Sequence, residues 1–505
     1  MTGLPDWLEG LPDAEAMRAT DRWAIDERGI AGLELMERAG AGLAALIQEL
    51  AIGDGPIAVV CGKGNNGGDG YVVARLLREA GRAVTVLTTA PVEELEGDAR
   101  TNAERLPGDA PQPFSAEALE PCDLAVDALL GTGFDGAPRG PAGEAIDALN
   151  AWGGAVVACD VPSGVDASTG TVRGAAVHAL ATATFGAAKP GLWINPGKAH
   201  AGAVRVVDLG IPPGAPVDPP GVGLIHDAPL LALVPRRRAG WTKFTSGHVL
   251  VAGGARGLSG APCLAAEAAQ RTGAGYVTAC VPATIETIFE IRLLEAMTRG
   301  LPDDDGAHTE AGVDTVLELA RRGGALIAGP GVGRTDGAQA FIRRLVREAE
   351  VAVVLDADGL NAHAGDLGAL ASRSAPTVLT PHEGELGRLL GVESDEVKAR
   401  RLHHVREAAA AAGAVVVLKG DDTLIAEPGG TVAVSPGASA ALATAGTGDV
   451  LSGVVAAILA RGVEPFAAAC AGVRLHARAG VHAAGERGVD GVIARDVIEA
   501  LPHAW

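Results

Sequence analysis

Residues 443–449, Ala-Thr-Ala-Gly-Thr-Gly-Asp, set one carboxylate, Asp449, directly behind a Gly-Thr-Gly turn and ahead of a nearly uncharged apolar run over residues 450–460. Such a turn at a helix start aims backbone N–H groups at an anion, and the helix dipole favours negative charge there. A carboxylate in that place can take the proton from a hydroxyl that is being phosphorylated. Gly446, Thr447 and Gly448 are then the candidate donors to a transferring phosphoryl group, and Asp449 the candidate base. Arg461 and Gly462 close the helix. An Asp near a helix N-terminus is also a common stabilising feature, so the neighbouring motifs must decide between the two readings.

A second constellation lies in the first half. Residues 62–70 read Gly-Lys-Gly-Asn-Asn-Gly-Gly-Asp-Gly between an expected strand and helix, and match neither a dinucleotide fingerprint nor a P-loop. The glycines permit close backbone approach, while Asn65, Asn66 and Asp69 add polar contacts. Asp127 ends another strand and opens D-A-L-L-G-T-G-F-D-G-A-P-R-G; Asp160 ends a third and opens D-V-P-S-G-V-D, which carries Ser163. Asn66, Asp127 and Ser163 offer an amide oxygen, a carboxylate and a hydroxyl to one hard cation, and a single carboxylate favours a monovalent ion. Taken one at a time they are ordinary loop-capping residues; three strand-end loops together point to a site.

The elements that must position these residues follow from composition and periodicity. The chain has 505 residues, 48% of them hydrophobic and 20% charged, which implies a globular protein with two large domains. Its formal charge of −21 argues against nucleic acid or an anionic membrane as partner. The N-terminal sequence lacks a secretory pattern, and Asp449 interrupts the one stretch apolar enough to suggest a span, so a cytoplasmic protein is expected. Cys61, Cys122, Cys159, Cys263, Cys280 and Cys470 are widely spaced and read as buried thiols. Lysine occurs at only six positions, 63, 189, 198, 243, 398 and 419, and four of these lie in the motif-bearing segments.

The Pro/Gly-dense residues 211–223 divide a domain over 1–215 from one over 216–505. Both halves alternate short β-rich apolar runs with Ala/Leu-rich helical segments, the pattern of an α/β fold with a parallel sheet covered by helices. In the first half, strands are expected at 57–61, 84–87, 124–126 and 155–159, with a helix over 69–80 and amphipathic helices within 14–50. In the second, strands are expected at 248–252, 325–328, 351–355, 377–380 and 414–418. Each is followed by a Gly-, Asp-, His- or Lys-bearing turn, where open α/β sheets bind ligands.

The segments V-V-C-G-K-G-N-N-G-G-D-G-Y-V-V-A-R, D-A-L-L-G-T-G, D-V-P-S-G-V-D and T-F-G-A-A-K-P-G-L resemble the NAD(P)H-hydrate epimerase (YjeF-type) domain over most of residues 14–210. The resemblance implies a Rossmann-like three-layer α/β/α sandwich that interconverts the R and S forms of nicotinamide coenzymes hydrated at ring carbon 6. It implies a potassium ion on Asn66, Asp127 and Ser163. It also implies substrate contacts from Asn65, Asn66, Gly67, Gly68 and Asp69, from Gly131, Thr132, Gly133, Phe134, Asp135, Gly136 and Ala137, and from Asp160. Epimerisation requires the carbon–oxygen bond to break and re-form from the other face; Asp160 is the first candidate to move the proton, with Lys63 and Lys189 behind it.

In the second half the ordered turns at 253–261, 329–333, 356–361, 380–385, 419–423 and 446–449 resemble NAD(P)H-hydrate dehydratase, of the ribokinase-like superfamily, over about residues 240–505. The resemblance implies ADP or ATP with Mg²⁺, phosphorylation of the ring hydroxyl, and departure of phosphate to restore NADH or NADPH. Carried over residue by residue, Ala261, Gly333, His382 and Asp449 fall at hydrate positions. Lys419, Gly420, Asp421, Asp422, Thr423 and Gly446–Gly448 fall at nucleotide positions, and Glu385 is placed to hold a metal-bound water. One departure stands out: the family's usual His-Lys-Gly-Asp run is replaced by Thr242-Lys243-Phe244-Thr245-Ser246-Gly247-His248, which leaves that loop's part in binding without support. The two halves together imply a multifunctional metabolite-repair enzyme, an isomerase joined to a lyase, self-associating and acting on small molecules. Two other readings are a small-molecule kinase of the same superfamily that releases a stable phosphoester, and a first domain that only binds.

Overall fold

The computed structural model describes residues 3–218 and 220–505, which divide into two compact units, residues 10–222 and residues 4–9 with 223–505. In the first unit seven strands form one sheet: β1 (Ile57–Cys61), β2 (Val84–Thr88), β3 (Gln112–Pro113), β4 (Leu124–Ala128), β5 (Ala155–Cys159), β6 (Ala181–Phe185) and β7 (Ala203–Val207). Their order is β3-β2-β1-β4-β5-β6-β7, and the neighbours are parallel. The order reverses between β1 and β4, and a doubly wound sheet opens a crevice at that switch point, outside the carboxyl ends of its strands.

Side chains alternate across the sheet. Ile57, Val59 and Cys61 of β1 belong to one core with Leu35, Leu43 and Ile47 of α2 (Gly32–Leu50) and Tyr71, Val73 and Leu77 of α3 (Asn65–Glu79). Ala58 and Val60 belong to another core with Ala145, Ile146 and Leu149 of α4 (Gly140–Trp152). Two cores on two faces make three layers.

Helix α3 begins at Asn65, four residues before the start that periodicity suggests. Glycines discourage a helix locally, but here they are what lets it form: a Cβ on Gly67 would stand 1.9 Å from the Gly62 carbonyl oxygen. The helix therefore lies directly against the end of β1, and Asn65 and Asn66 occupy its first turn.

The second unit contains β8 (Val222–Ile225), β9 (His248–Ala252), β10 (Tyr276–Pro282), β11 (Met297–Leu301), β12 (Ala325–Ala328), β13 (Ala352–Leu355), β14 (Thr377–Leu379), β15 (Val415–Leu418), β16 (Leu424–Ala426) and β17 (Val432–Val434). With the short strand Leu8–Gly10 they form an eleven-stranded sheet ordered Leu8–Gly10, β8, β17, β16, β15, β14, β13, β12, β9, β10, β11. From β15 to β11 the neighbours are parallel, whereas β15, β16 and β17 pair antiparallel. The helices around its site are α5 (Gly260–Thr272), α6 (Glu383–Leu390), α7 (Arg401–Ala412), α8 (Thr447–Leu459) and α9 (Pro465–Arg487). α8 is apolar all round, with eleven residues buried, which suits a helix enclosed in the core.

All six cysteines are buried. Among the described residues no helix is long and apolar enough to cross a membrane.

Candidate active sites

In the first unit a cleft of about 880 Å³ opens at the carboxyl ends of β1, β4 and β5, lined in part by Asp21, Asn66, Asp69, Thr132, Asp160 and Lys189. Asp160 leaves β5 with φ +65°, a left-handed conformation uncommon outside glycine. Its N–H is held by the Ala183 carbonyl at 2.8 Å, so the neighbouring strand fixes the turn that aims its carboxylate into the cleft.

Donors surround that carboxylate. Oδ1 accepts from Lys189 Nζ at 2.6 Å, the Phe185 N–H at 3.2 Å and Thr184 Oγ1 at 3.3 Å. Oδ2 accepts from the Thr132 hydroxyl and from the Thr132 N–H at 3.3 Å. Burial alone would raise the Asp160 pKa, but the Lys189 ammonium and these hydrogen bonds outweigh it and hold the group below the usual carboxylate range. Lys189 is only 1% exposed and also donates to Thr184 and to the Phe185 carbonyl, both at 2.8 Å. It is thus the fixed counter-ion of Asp160.

Two further carboxyls in the cleft go the other way. Asp69 is pushed well above the usual range, chiefly by burial and then by the charges of Asp160 and Asp21. Asp21 is raised by burial, with Lys189 opposing, and its Oδ1 is buried without a hydrogen bond. Nothing in the sequence singled out Asp21, which sits on an ordinary amphipathic helix, α1 (Ala14–Asp26).

Beneath the cleft Asp127 and Ser163 are completely buried. Ser163 donates its N–H to Asp127 Oδ2 at 2.8 Å and its hydroxyl to Oδ1 at 2.6 Å, and the Leu129 N–H reaches Oδ1 at 3.2 Å. Burial still dominates and pushes the Asp127 pKa up to about 6. Asn66 packs against Gly131, and its Nδ2 is buried without a hydrogen bond. Gly131 is followed at once by Thr132 and Gly133 on the cleft wall, and Phe134 lines it too. Asp135, Gly136 and Ala137 do not line the cleft; Asp135 is exposed and pairs with Arg173 at 3.3 Å.

In the second unit the turns after β13, β14 and β15 meet the start of α8. Asp356, at the end of β13, accepts from Ser452 Oγ of α8 at 2.6 Å and from Lys419 Nζ at 3.3 Å. Lys419 also stands 3.6 Å from Glu385. A Cβ on Gly448 would lie 3.4 Å from the Lys419 ammonium, which places that charge beside the Gly446–Gly448 turn. Burial would lower the Lys419 pKa, but Asp356, Glu385 and Asp449 together raise it. Asp449 is pushed up to about 7 by burial and by Asp356, against the pull of Lys419. A carboxyl near neutrality beside a fixed ammonium and a helix N-terminus can take up and return a proton at physiological pH.

The other expected positions join this centre through short chains of contacts. His382 caps α6 by accepting from the Gly384 N–H at 3.0 Å, and its own N–H donates to Glu385 at 2.9 Å. Gly333 donates its N–H to Asp358 at 3.2 Å; Asn361 donates to Asp358 and accepts from Arg388 of α6 at 2.9 Å. Ala261, in the first turn of α5, packs beside Gly331. Thr423 closes the 420–423 turn through its hydroxyl, donating to the Gly420 carbonyl at 2.6 Å. Asp422 is 1% exposed and faces Arg401, not the open end of the site.

The altered loop lies elsewhere. Thr242–Gly247 leads into the amino end of β9, and Gly247 packs against Ala460, just beyond the carboxyl end of α8. Asp449 is at the opposite end of a helix about 20 Å long. The departure from the His-Lys-Gly-Asp run therefore leaves the centre around Asp449 untouched.

Similarity to known proteins divides at the same place. Residues 32–191 match the family described as YjeF-related protein N-terminus, and residues 249–503 match NAD(P)H-hydrate dehydratase. A bifunctional NAD(P)H-hydrate repair enzyme of Salinibacter ruber is 40% identical, over 97% of this chain and 95% of its own length. One from Moorella thermoacetica is 39% identical over 98% and 96%. Among solved structures, an ADP/ATP-dependent NAD(P)H-hydrate dehydratase from Bacillus subtilis, co-crystallised with ATP and Mg²⁺, is 30% identical; it covers 55% of this chain and 96% of its own, with a TM-score of 0.47.

Proposed function

The chain belongs to the bifunctional NAD(P)H-hydrate repair enzymes, and from that premise we propose how its residues divide the work. The first unit interconverts the R and S hydrates of NADH and NADPH; the second dehydrates the S form at the expense of ADP or ATP. The observation that carries the second assignment is the Asp449 carboxyl, raised to about 7 beside Lys419 and the Gly446–Gly448 turn.

In the second unit Asp449 takes the proton of the ring hydroxyl as that oxygen attacks the terminal phosphorus. Lys419 and the N–H groups of residues 446–448 stabilise the charge on the transferring phosphoryl group. The ring nitrogen then expels phosphate from carbon 6, a proton leaves carbon 5, and the dihydropyridine is restored. His382, Gly333 and Ala261 bound the hydrate side, and Lys419, Gly420, Asp421 and Thr423 the nucleotide side. Asp422 acts on that side through Arg401. Glu385 uses Oε2 for the His382 N–H and Lys419, which leaves Oε1 for a metal-bound water. Mg²⁺, when bound with the nucleotide, neutralises phosphate charge.

In the first unit the hydroxyl at carbon 6 leaves as water and returns from the other face. Asp160, held ionised by Lys189, faces the cationic ring and accepts the proton of the incoming water. Asp69, whose pKa burial and the neighbouring carboxylates raise, is the group placed to give a proton to the leaving hydroxyl. The donor set of Asn66, Asp127 and Ser163 fits a potassium ion through its oxygens: one buried carboxylate with its pKa pushed up to about 6, a hydroxyl, and the amide Oδ1 of Asn66, which faces Gly131. Potassium, when bound, supplies the positive charge that Asp127 lacks.

The full chain, given either hydrate and ADP, regenerates the absorbance of the reduced ring. Asp160→Asn consumes S hydrate at the normal rate and R hydrate only as fast as it epimerises unaided. Equal loss on both forms would contradict this division of labour.

A further inference from the structure

Arg401, the first residue of α7, is 1% exposed, and all its nitrogens are engaged. Nε donates to Asp422 Oδ2 at 3.0 Å and Nη1 to Glu383 Oε1 at 2.6 Å. Nη2 donates to the main-chain carbonyls of Leu418, at 3.4 Å, and Lys419, at 3.2 Å. Lys419 is held from its other side as well, its N–H donating to the Pro381 carbonyl at 2.9 Å. The main chain carrying the Lys419 ammonium beside Asp449 is thus clamped between Arg401 and the segment that leads into His382.

Gly420 shows how close the fit is. A Cβ there would stand 2.6 Å from Arg401 Nη2 and 2.8 Å from Asp422 Oδ1, so the turn closes over the guanidinium only because residue 420 has no side chain. Glu383 is the first residue of α6 and follows His382 directly. One planar, permanently charged group therefore ties the nucleotide turn to the helix that carries the hydrate-side residue.

We propose that Arg401 is a positioning residue that sets Lys419 and the 419–423 turn for the phosphoryl donor and couples them to the hydrate side through Glu383. This rests on the proposed dehydratase reading of the second unit. A lysine at 401 keeps the charge but not the fork, so it can hold the carboxylates and not both carbonyls.

The test uses the full chain as wild type, Arg401→Lys, Arg401→Met and Glu383→Gln, with KM for ADP, KM for the S hydrate and kcat measured separately, and epimerisation followed as a control on the first unit. The expected pattern is unchanged epimerisation in all three variants. In Arg401→Met, KM for ADP rises at least about tenfold with a fall in kcat, and Arg401→Lys recovers part of it. Glu383→Gln, which loosens only the hydrate-side tie, raises KM for the hydrate and leaves that for ADP near wild type. Should Arg401→Met fail to fold its second unit, Glu383→Gln and Arg401→Lys carry the test. KM values unchanged in the folded variants, with kcat lowered only in proportion to folded protein, overturn the proposal. Wild-type protein without nucleotide-dependent repair overturns the dehydratase reading and this inference with it; active wild type with unaffected variants overturns this inference alone.

Discussion

Replacing Asp449 by Asn should abolish dehydration and make the second unit more stable. The reason is the cost of keeping a carboxylate where burial and Asp356 oppose its charge. Its pKa moves from 3.8 to about 7, and at about 1.4 kcal/mol per unit the ionised form costs up to about 4 kcal/mol. Solvent reaches part of this side chain, so the measured figure will fall below that bound. The sign follows from proton binding: the folded state holds the proton more tightly than the unfolded one, so this contribution is fully present below pH 3.8 and is lost as pH rises through about 7. Asn, which cannot ionise, escapes that loss. Nucleotide-free wild type and variant should therefore melt closely together at pH 4 and move apart as pH rises to 8. With about 2 °C per kcal/mol for a unit of this size, the gap approaches roughly 8 °C. Scanning calorimetry at several pH values is the assay. A variant no more stable at pH 8 than at pH 4, relative to wild type, would refute the claim that this carboxyl is held against its charge.

Other outcomes follow from the same geometry. The pH profile of dehydration at saturating substrate should lose rate on the acid side with an apparent pKa near 7, as Asp449 takes up its proton. Lys189→Met leaves Asp160 buried without its counter-ion, so epimerisation should fall at least about a hundredfold and the first unit should lose about 3–5 kcal/mol. Because the Asp160 pKa is depressed in the fold, that stability difference should be present at neutral pH and shrink as pH falls through the folded pKa. Exchange of potassium for lithium, or Asp127→Asn, should slow epimerisation and spare dehydration, read by supplying each hydrate separately. Phe244→Ala, in the loop at the far end of α8, should leave both dehydration KM values within about twofold.

The fold class and the strand-end positions were legible because parallel strands buried on both faces are short apolar runs, and the residues that follow them are polar or glycine. Asp127 and Asp160 stand out for that reason, as does Asp356. The start of α3 was not legible: Asn-Asn-Gly-Gly reads as a loop until the close approach of Gly67 to the end of β1 is seen. The short strand Leu8–Gly10 in the eleven-stranded sheet has no local signal of its partner. Long-range partners were hidden in the same way. Lys189 is 29 residues from Asp160, Arg401 is 21 from Asp422, and Ser452 is 96 from Asp356. Sequence spacing showed which residues can do chemistry, whereas the groups that tune and hold them come from elsewhere in the chain.

On the proposed mechanism the ring hydroxyl leaves as phosphate after Asp449 has directed it onto the nucleotide's terminal phosphorus. Placing a heavy-oxygen label in the hydroxyl of the S hydrate and following it through one turnover with unlabelled ADP tests this directly. The expected result is label in inorganic phosphate, one atom for each reduced ring recovered. Label recovered in water would contradict it.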